Sequence, residues 1–233
     1  MKAKLSHISI VFLQMCLIFT VALIASNLFE TKQIAIGPLE ITGGMITFPI
    51  CYIICVLVCE VWGYQKAALL IWAGFLMNFI FVVAGALVDA LPGANYWTND
   101  EGFHAVFGMS ERITLASFIA FLCGSFINIY VQSRLKVKFE GKQLAKRLAL
   151  SFIAGEAADS VIFFPLAFLG VLTSAELLRQ LLFQFVLITA IEIAFIPLTI
   201  IIIRNIKKIE EVDTYDNDNN YDVFAVFKHS KNE

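Results

Sequence analysis

The sequence predicts an all-α integral membrane protein with six transmembrane helices. Its 233 residues are 59% hydrophobic and only 15% charged, whereas soluble domains are about 45–50% apolar and about 25% charged. The apolar residues are concentrated in six stretches, each long enough for the roughly 20 residues that an α-helix needs to cross a bilayer. The basic residues lie between these stretches, mostly on one side of the predicted membrane.

The apolar stretches define the predicted helices. The first follows Lys2 and Lys4 and resembles a signal peptide, but its apolar run is too long and lacks a clear cleavage site, so we expect a retained helix. After the sixth stretch the chain becomes polar and rich in Asp and Asn. Residues 1–203 therefore form the predicted six-helix domain, and residues 204–233 a polar cytoplasmic tail that is partly disordered. The predicted spans are 8–28, 41–62, 67–91, 113–132, 148–172 and 177–203.

The distribution of Lys and Arg predicts the orientation, because basic residues accumulate in cytoplasmic loops. With the N-terminus in the cytoplasm, 14 of the 17 basic residues lie on the cytoplasmic side. Only Lys32, Arg112 and Arg179 then lie outside. Both termini are therefore predicted to be cytoplasmic, in a multi-pass protein of the cell inner (plasma) membrane.

The six spans divide into two halves of three. Because three spans reverse the side from which the chain starts, the second half begins on the opposite face of the membrane. The second span has Pro49 ahead of Glu60, and the fifth has Glu156 ahead of Pro165. This reversed order of Pro and Glu favours a 3+3 inverted repeat.

Composition and motifs argue against several classes of function. The net charge of -2 gives no reason to expect nucleic acid as a partner. The five cysteines lie in apolar runs without Cys-x-x-Cys spacing, so neither a metal site nor another cofactor is predicted. The chain has no Gly-x-Ser-x-Gly motif and no histidine in its spans, so we predict no enzyme and no catalytic residue. The three histidines are His7, His104 and His229.

The fifth span carries two carboxylates at membrane depth, Glu156 and Asp159. A carboxylate there costs roughly 2.5–3.5 kcal/mol on insertion scales, and residues three apart share one helical face. By helix rise the two lie roughly 12 and 16 Å in from the cytoplasmic edge. They could pair with basic residues, but Arg147 is about two turns away and Arg179 lies at the opposite surface. We therefore predict that they bind something polar inside the membrane.

Further polar and aromatic side chains at depth are candidate binding residues. Glu192 lies midway along the sixth span, where it needs a partner or a proton. The amides of Asn78 and Asn128 suit the hydrogen-bonding edge of a ligand, and they equally suit contacts between helices. Ser160 lies in the same row as the first carboxylate of the fifth span, and Phe163 lies close enough to stack on a flat ligand.

The run RLALSFIAGEAADSVIFFPLAFLG resembles the signature of the queuosine precursor transporter family, also called the vitamin uptake transporter family. The stretches FPICYIICVLVCEVWGYQKA and RITLASFIAFLCGSFINIYV are similar to the family's second-span and fourth-span motifs. The resemblance covers residues 8–203 and not the tail. The matching signature positions are Arg147, Ser151, Gly155, Glu156, Asp159, Ser160, Phe163 and Phe168.

The resemblance implies a membrane importer of 7-deazaguanine bases, such as 7-cyano-7-deazaguanine, 7-aminomethyl-7-deazaguanine or queuine, for salvage of the queuosine found in tRNA. A guanine-like edge carries an N–H and an amino group side by side, and a carboxylate accepts both. Glu156 and Asp159 would then bind the base, assisted by Ser160 and the two asparagines. The resemblance also makes Glu60, in the second-span motif, a candidate binding residue.

Three positions that often carry a charge in the family are neutral in this chain. They are Val56, Ala68 and Asn128. The expected partners are a nucleobase-like small molecule and the lipid bilayer. A homodimer and a coupling ion, either a proton or sodium, are left open.

The sequence also allows other functions. A substrate-binding subunit of an ATP-driven modular vitamin importer likewise has about six spans and little soluble mass, and because this chain has no nucleotide-binding loop, ATP drive would need partner chains. An intramembrane enzyme with Glu156 and Asp159 as acid and base is disfavoured by the missing motifs. A purely structural membrane protein does not account for the carboxylates at depth.

Overall fold

The computed structural model describes residues 9–36, 39–108, 111–219 and 221–225. Within these residues, six helical segments are long and apolar enough to cross a membrane, the fourth of them comprising both α4 and α5, which confirms the predicted all-α membrane fold. The predicted cytoplasmic residues Lys2 and Lys4, and His7 and His229, lie outside the described part of the chain. The elements are α1 (Ile10–Glu30), β1 (Gln33–Ile36), β2 (Leu39–Thr42), α2 (Gly44–Trp62), α3 (Tyr64–Asp89), α4 (Asp100–Phe107), α5 (Glu111–Lys138), α6 (Leu144–Phe168) and α7 (Ser174–Glu210).

Helices α5 and α6 approach each other at two glycines, Gly124 and Gly155. A Cβ atom on Gly124 would lie 3.0 Å from the Gly155 carbonyl oxygen, and one on Gly155 would lie 3.1 Å from the Gly124 carbonyl oxygen. Tyr52 of α2 packs into the same junction, with its hydroxyl against the position that a Cβ atom of Gly124 would occupy. Small residues allow such close approach between membrane helices, so these glycines bring α2, α5 and α6 together at one point.

A short β-hairpin connects α1 and α2, although the sequence predicts that a helix begins at residue 41. The two strands are antiparallel, with Ile34 opposite Ile41. The hydroxyl of Thr42 donates to Glu30 Oε2 at 2.8 Å and ties the hairpin to the end of α1. Helix α2 begins only at Gly44, where a Cβ atom would lie 2.8 Å from the Ser26 carbonyl oxygen. Gly43 and Gly44 therefore follow the end of the strand and let α2 pack directly on α1.

Two helices continue beyond the ends that hydropathy predicts. The sequence predicts that the fourth and sixth spans end at residues 132 and 203, whereas α5 reaches Lys138 and α7 reaches Glu210. The additional turns carry charged residues, which lower the hydropathy without interrupting the helix. They remain part of the bundle because Lys136 and Lys207 contact a buried carboxylate.

The described part of the polar tail folds back on the helix ends, where the sequence predicts partial disorder. Asp216 Oδ2 accepts hydrogen bonds from the Tyr64 backbone N–H at 3.0 Å and from the Ser133 hydroxyl at 2.6 Å. Trp72 Nε1 donates to the Val223 carbonyl oxygen at 2.8 Å. Asp216 thus binds a free N–H group at the start of α3 and a side chain of α5, and this part of the tail is held against the bundle.

The close approach of α5 and α6 leads to a test. We expect Gly155→Ala to lower the thermal stability of the purified protein, because the added methyl group would lie 2.7 Å from Asn128 Cβ, 2.8 Å from a ring carbon of Tyr52 and 3.1 Å from the Gly124 carbonyl oxygen. Overpacking of this kind costs about 1–3 kcal/mol. The control is Ile153→Val, one methyl group smaller at an exposed position of the same helix. Equal melting temperatures for the two variants would contradict the prediction.

Candidate functional site

A cavity of about 80 Å³ extends from the hairpin end of the bundle to the middle of α6. Asn27 and Glu30 line it from α1, and Gln184 lines it from α7. Its inner part is lined by Asp159 and Phe163 of α6. Polar side chains from three helices therefore converge on a space that ends at one of the predicted carboxylates.

Three carboxyl groups lie together at the inner end of this cavity: Glu156 and Asp159 of α6, and Glu192 of α7. They are 0%, 5% and 0% exposed, and Glu192 interacts electrostatically with both others. The Ser160 hydroxyl donates to Glu156 Oε1 at 3.3 Å. Glu156 Oε2 and both oxygens of Glu192 have no hydrogen-bond partner among the described residues. We call Glu156, Asp159 and Glu192 the carboxyl cluster.

Other buried polar atoms near the carboxyl cluster are also unpaired within the described residues. Buried polar groups in proteins are nearly always hydrogen-bonded, so several exceptions on facing helices indicate a site that binds polar groups. Tyr52 packs at Gly124 beside Asp159, and its hydroxyl makes no regular hydrogen bond. The remaining unpaired atoms are Ser125 Oγ, Asn128 Oδ1 and Thr189 Oγ1.

Some of the predicted binding residues line the cavity, and others lie buried behind its lining. Asp159 and Phe163 line the cavity directly. Glu156 and Ser160 lie behind them on α6 and are fully buried, as is Glu192, which faces them from α7. These five residues therefore lie close together, and their role in binding stays a prediction.

The two predicted asparagines lie at the edge of the site. Asn128 Nδ2 donates to the Ser151 carbonyl oxygen at 3.0 Å, which leaves its unpaired oxygen for a ligand. Asn78 accepts a hydrogen bond from Asn27 Nδ2 at 2.8 Å. Asn27 lines the cavity and Asn78 does not, so Asn78 lies behind Asn27 as its hydrogen-bond acceptor.

Glu60 lies apart from the cavity, at the opposite end of α2. Its carboxylate accepts two hydrogen bonds from Arg147, at 2.5 and 3.1 Å, one from Lys207 at 2.7 Å and one from Gln132 at 2.7 Å. Both Glu60 and Arg147 are fully buried. The family resemblance makes Glu60 a candidate substrate-binding residue, and Arg147 is the basic residue nearest along the chain to the carboxylates of α6. In the structure, Glu60 and Arg147 pair with each other. Because its oxygens are already used, Glu60 is not part of the cavity site.

The tail completes this second cluster. Asp213 bridges Lys136 and Lys207, with N–O distances of 2.5 and 2.8 Å. Partial burial alone would raise the pKa of Asp213, but the hydrogen bonds from the two lysines outweigh it and lower that pKa. Lys136 also donates to the Glu60 carbonyl oxygen at 2.6 Å. We call Glu60, Lys136, Arg147, Lys207 and Asp213 the ion-pair cluster.

Sequence reasoning missed some residues that the structure places at the site. Tyr52 is a single hydroxyl in an otherwise apolar segment of α2, and Asn27 and Gln184 lie near the ends of their spans, where polar residues normally face water. Of these residues, only Tyr52 could have been identified from the sequence, because its hydroxyl stands out in an apolar span. The cavity lining by Asn27 and Gln184 depends on how the helices pack.

The ion-pair cluster leads to a second test. Glu60→Gln leaves the buried guanidinium of Arg147 without its counter-charge, while Lys207 keeps its pair with Asp213. Removing one partner of a buried pair costs about 3–5 kcal/mol, so we expect a fall of that order in the free energy of unfolding in detergent. The control is Glu140→Gln, whose exposed pair with Lys142 contributes less than about 1 kcal/mol. If both variants unfold like the unmodified protein, the ion-pair cluster does not stabilise the bundle.

Comparison with known proteins agrees with this architecture. Residues 42–202, which contain the carboxyl cluster and most of the ion-pair cluster, match the family described as Putative vitamin uptake transporter. The chain is also similar to a protein named Probable queuosine precursor transporter from Bacillus subtilis (strain 168), with 24% identity over 179 residues that cover 76% of this chain and 77% of the relative. No solved structure matches the chain. The resemblance of the signature is thus confirmed, and the chain is a multi-pass membrane transporter that belongs to the vitamin uptake transporter family.

Proposed function

We propose that this transporter imports queuosine precursors, which are 7-deazaguanine bases, and that Glu156 and Asp159 bind the base. The proposal is carried by one observation, namely that buried carboxyl groups with unpaired oxygens lie at the inner end of a cavity within the bundle. The name of the Bacillus subtilis relative supports the same class of substrate. Ligand sites typically combine a mostly apolar lining with a few placed polar groups, as this cavity does.

The unpaired groups of the site match the edge of a guanine-like base. The ring N–H and the adjacent amino group both donate, and a carboxylate accepts two donors side by side. The unpaired oxygen of Asn128 can accept from a further N–H group of the ring. The Tyr52 hydroxyl, which lies beside Asp159, can donate to the base carbonyl. Phe163 supplies an apolar surface for the face of the ring.

The two ends of the bundle suggest how the base crosses the membrane. The positive-inside rule places the ion-pair cluster at the cytoplasmic end, so the cavity faces outside. Release into the cytoplasm then requires the ion-pair cluster to separate.

The proposed function is tested by uptake into proteoliposomes that contain the purified chain. We expect labelled 7-aminomethyl-7-deazaguanine to be taken up, and Glu156→Gln and Asp159→Asn each to reduce uptake about 10- to 100-fold. Losing a hydrogen bond to a charged group costs about 1.5–3 kcal/mol, and each 1.4 kcal/mol corresponds to about tenfold in affinity. Excess unlabelled base should compete, whereas adenine, which lacks the guanine donor edge, should not.

The control for these variants is Glu101→Gln, which removes an exposed carboxylate on α4 and should leave uptake unchanged. Uptake at the unmodified level by both cavity variants would contradict the assigned binding site. Binding of the base without uptake, restored only by an added ATPase, would favour a substrate-binding subunit of an ATP-driven importer.

A further inference from the structure

Glu192 differs from Glu60, the buried glutamate whose hydrogen bonds join several helices. It lies in the middle of α7 and is fully buried, with both carboxyl oxygens unpaired among the described residues. Glu60, by contrast, is held by Arg147, Lys207 and Gln132. A buried carboxylate without donors or a cation is costly. No hydrogen bond or ion pair of the described residues offsets this cost for Glu192.

The groups that face Glu192 are acidic or uncharged. Helices α6 and α2 pack against α7. From α6, Glu156 and Asp159 interact with Glu192 electrostatically, and from α2 the facing titratable groups are Tyr52 and Cys55. No Lys, Arg or His is among them in the described chain. The carboxyl cluster therefore contains three acids and no positive charge of its own.

The charged residues along the path from the outside to this cluster are also acidic. The ionisable residues that line the cavity are Glu30 at its outer end and Asp159 at its inner end, and no basic residue of the described chain lines it. On α7, Gln184 and Ile188 line the cavity, and Glu192 follows at the same spacing of four residues, on the same helical face. Glu192 thus lies one turn beyond the inner end of the cavity.

We propose that Glu192 binds the positively charged amine of the substrate and makes the transporter selective for bases that carry such an amine. This inference rests on the proposed function, in which Glu156 and Asp159 hold the guanine-like edge of the same molecule. A low-dielectric site strengthens the attraction between a carboxylate and a cation, whereas an anionic analogue would bring a further acid next to three buried acids. Among the described residues, no group of three or more Asp, Glu, His and Cys side chains has the arrangement of a metal site.

The test uses three compounds that share one ring and differ in charge. They are 7-aminomethyl-7-deazaguanine, a cation, 7-cyano-7-deazaguanine, which is neutral, and 7-carboxy-7-deazaguanine, an anion. Competition against labelled 7-aminomethyl-7-deazaguanine in proteoliposomes measures their relative affinities. For the unmodified chain we expect the cation to bind at least about tenfold more tightly than the neutral base, and the anion not to compete.

The variant Glu192→Gln keeps the shape of the side chain and removes its charge. We expect it to weaken binding of the cation about tenfold or more and to change binding of the neutral base less than about twofold, so that the preference disappears. The control is Thr199→Val on the same helix, a buried residue whose hydroxyl bonds only to its own helix. It should keep the selectivity of the unmodified chain.

The outcomes separate this inference from the proposed function. If the unmodified chain binds none of the three compounds, the proposed function is overturned and the inference with it. If it binds the cation and the neutral base equally, only the inference is overturned, and this result does not depend on any variant folding. If Glu192→Gln weakens both compounds equally, Glu192 does not bind the amine.

Discussion

The buried pair of Glu60 and Arg147 is the interaction on which the remaining structure depends. It joins α2 to α6, and through Lys207 and Gln132 it also joins α7 and α5. Because α2 and α6 run antiparallel, the pair also sets their register. Tyr52, eight positions before Glu60, meets Gly155, eight positions after Arg147. One further turn along each helix, Phe48 and Asp159 both line the cavity. A pairing at one end of the bundle therefore determines which side chains meet at the other.

The buried carboxylates form two groups that differ in how they are satisfied. Glu60 has guanidinium, ammonium and amide donors, and such a carboxylate is stable only as long as its partners stay in place. Glu156 and Glu192 keep unpaired oxygens and lie just behind the inner end of the cavity. The first arrangement favours a fixed geometry. The second arrangement is stabilised when a ligand brings a hydrogen-bond donor or a cation to the unpaired oxygens. A binding site for a polar molecule in a membrane needs this property.

The spans and the carboxyl cluster could be predicted from the sequence because both depend on local patterns. An apolar run of about 20 residues specifies a membrane helix, and Glu156 and Asp159 stand out by contrast with their neighbours. The role of Glu60 could not be predicted, since its partners lie 72, 87 and 147 residues away along the chain. The same holds for the tail, where the bonds of Asp216 depend on which helix ends lie nearby. Polar composition gives no indication of such contacts.

The order of the ion-pair cluster along the chain has a consequence for biogenesis. Glu60 belongs to the second span, whereas Gln132, Arg147 and Lys207 belong to the fourth, fifth and sixth. During synthesis, α2 therefore reaches the membrane before any of these side chains exists. A glutamate close to the end of a helix can remain at the aqueous interface until they arrive. Because α7 supplies Gln184 and Ile188 to the lining of the cavity, the assembled cavity is a late product of membrane insertion.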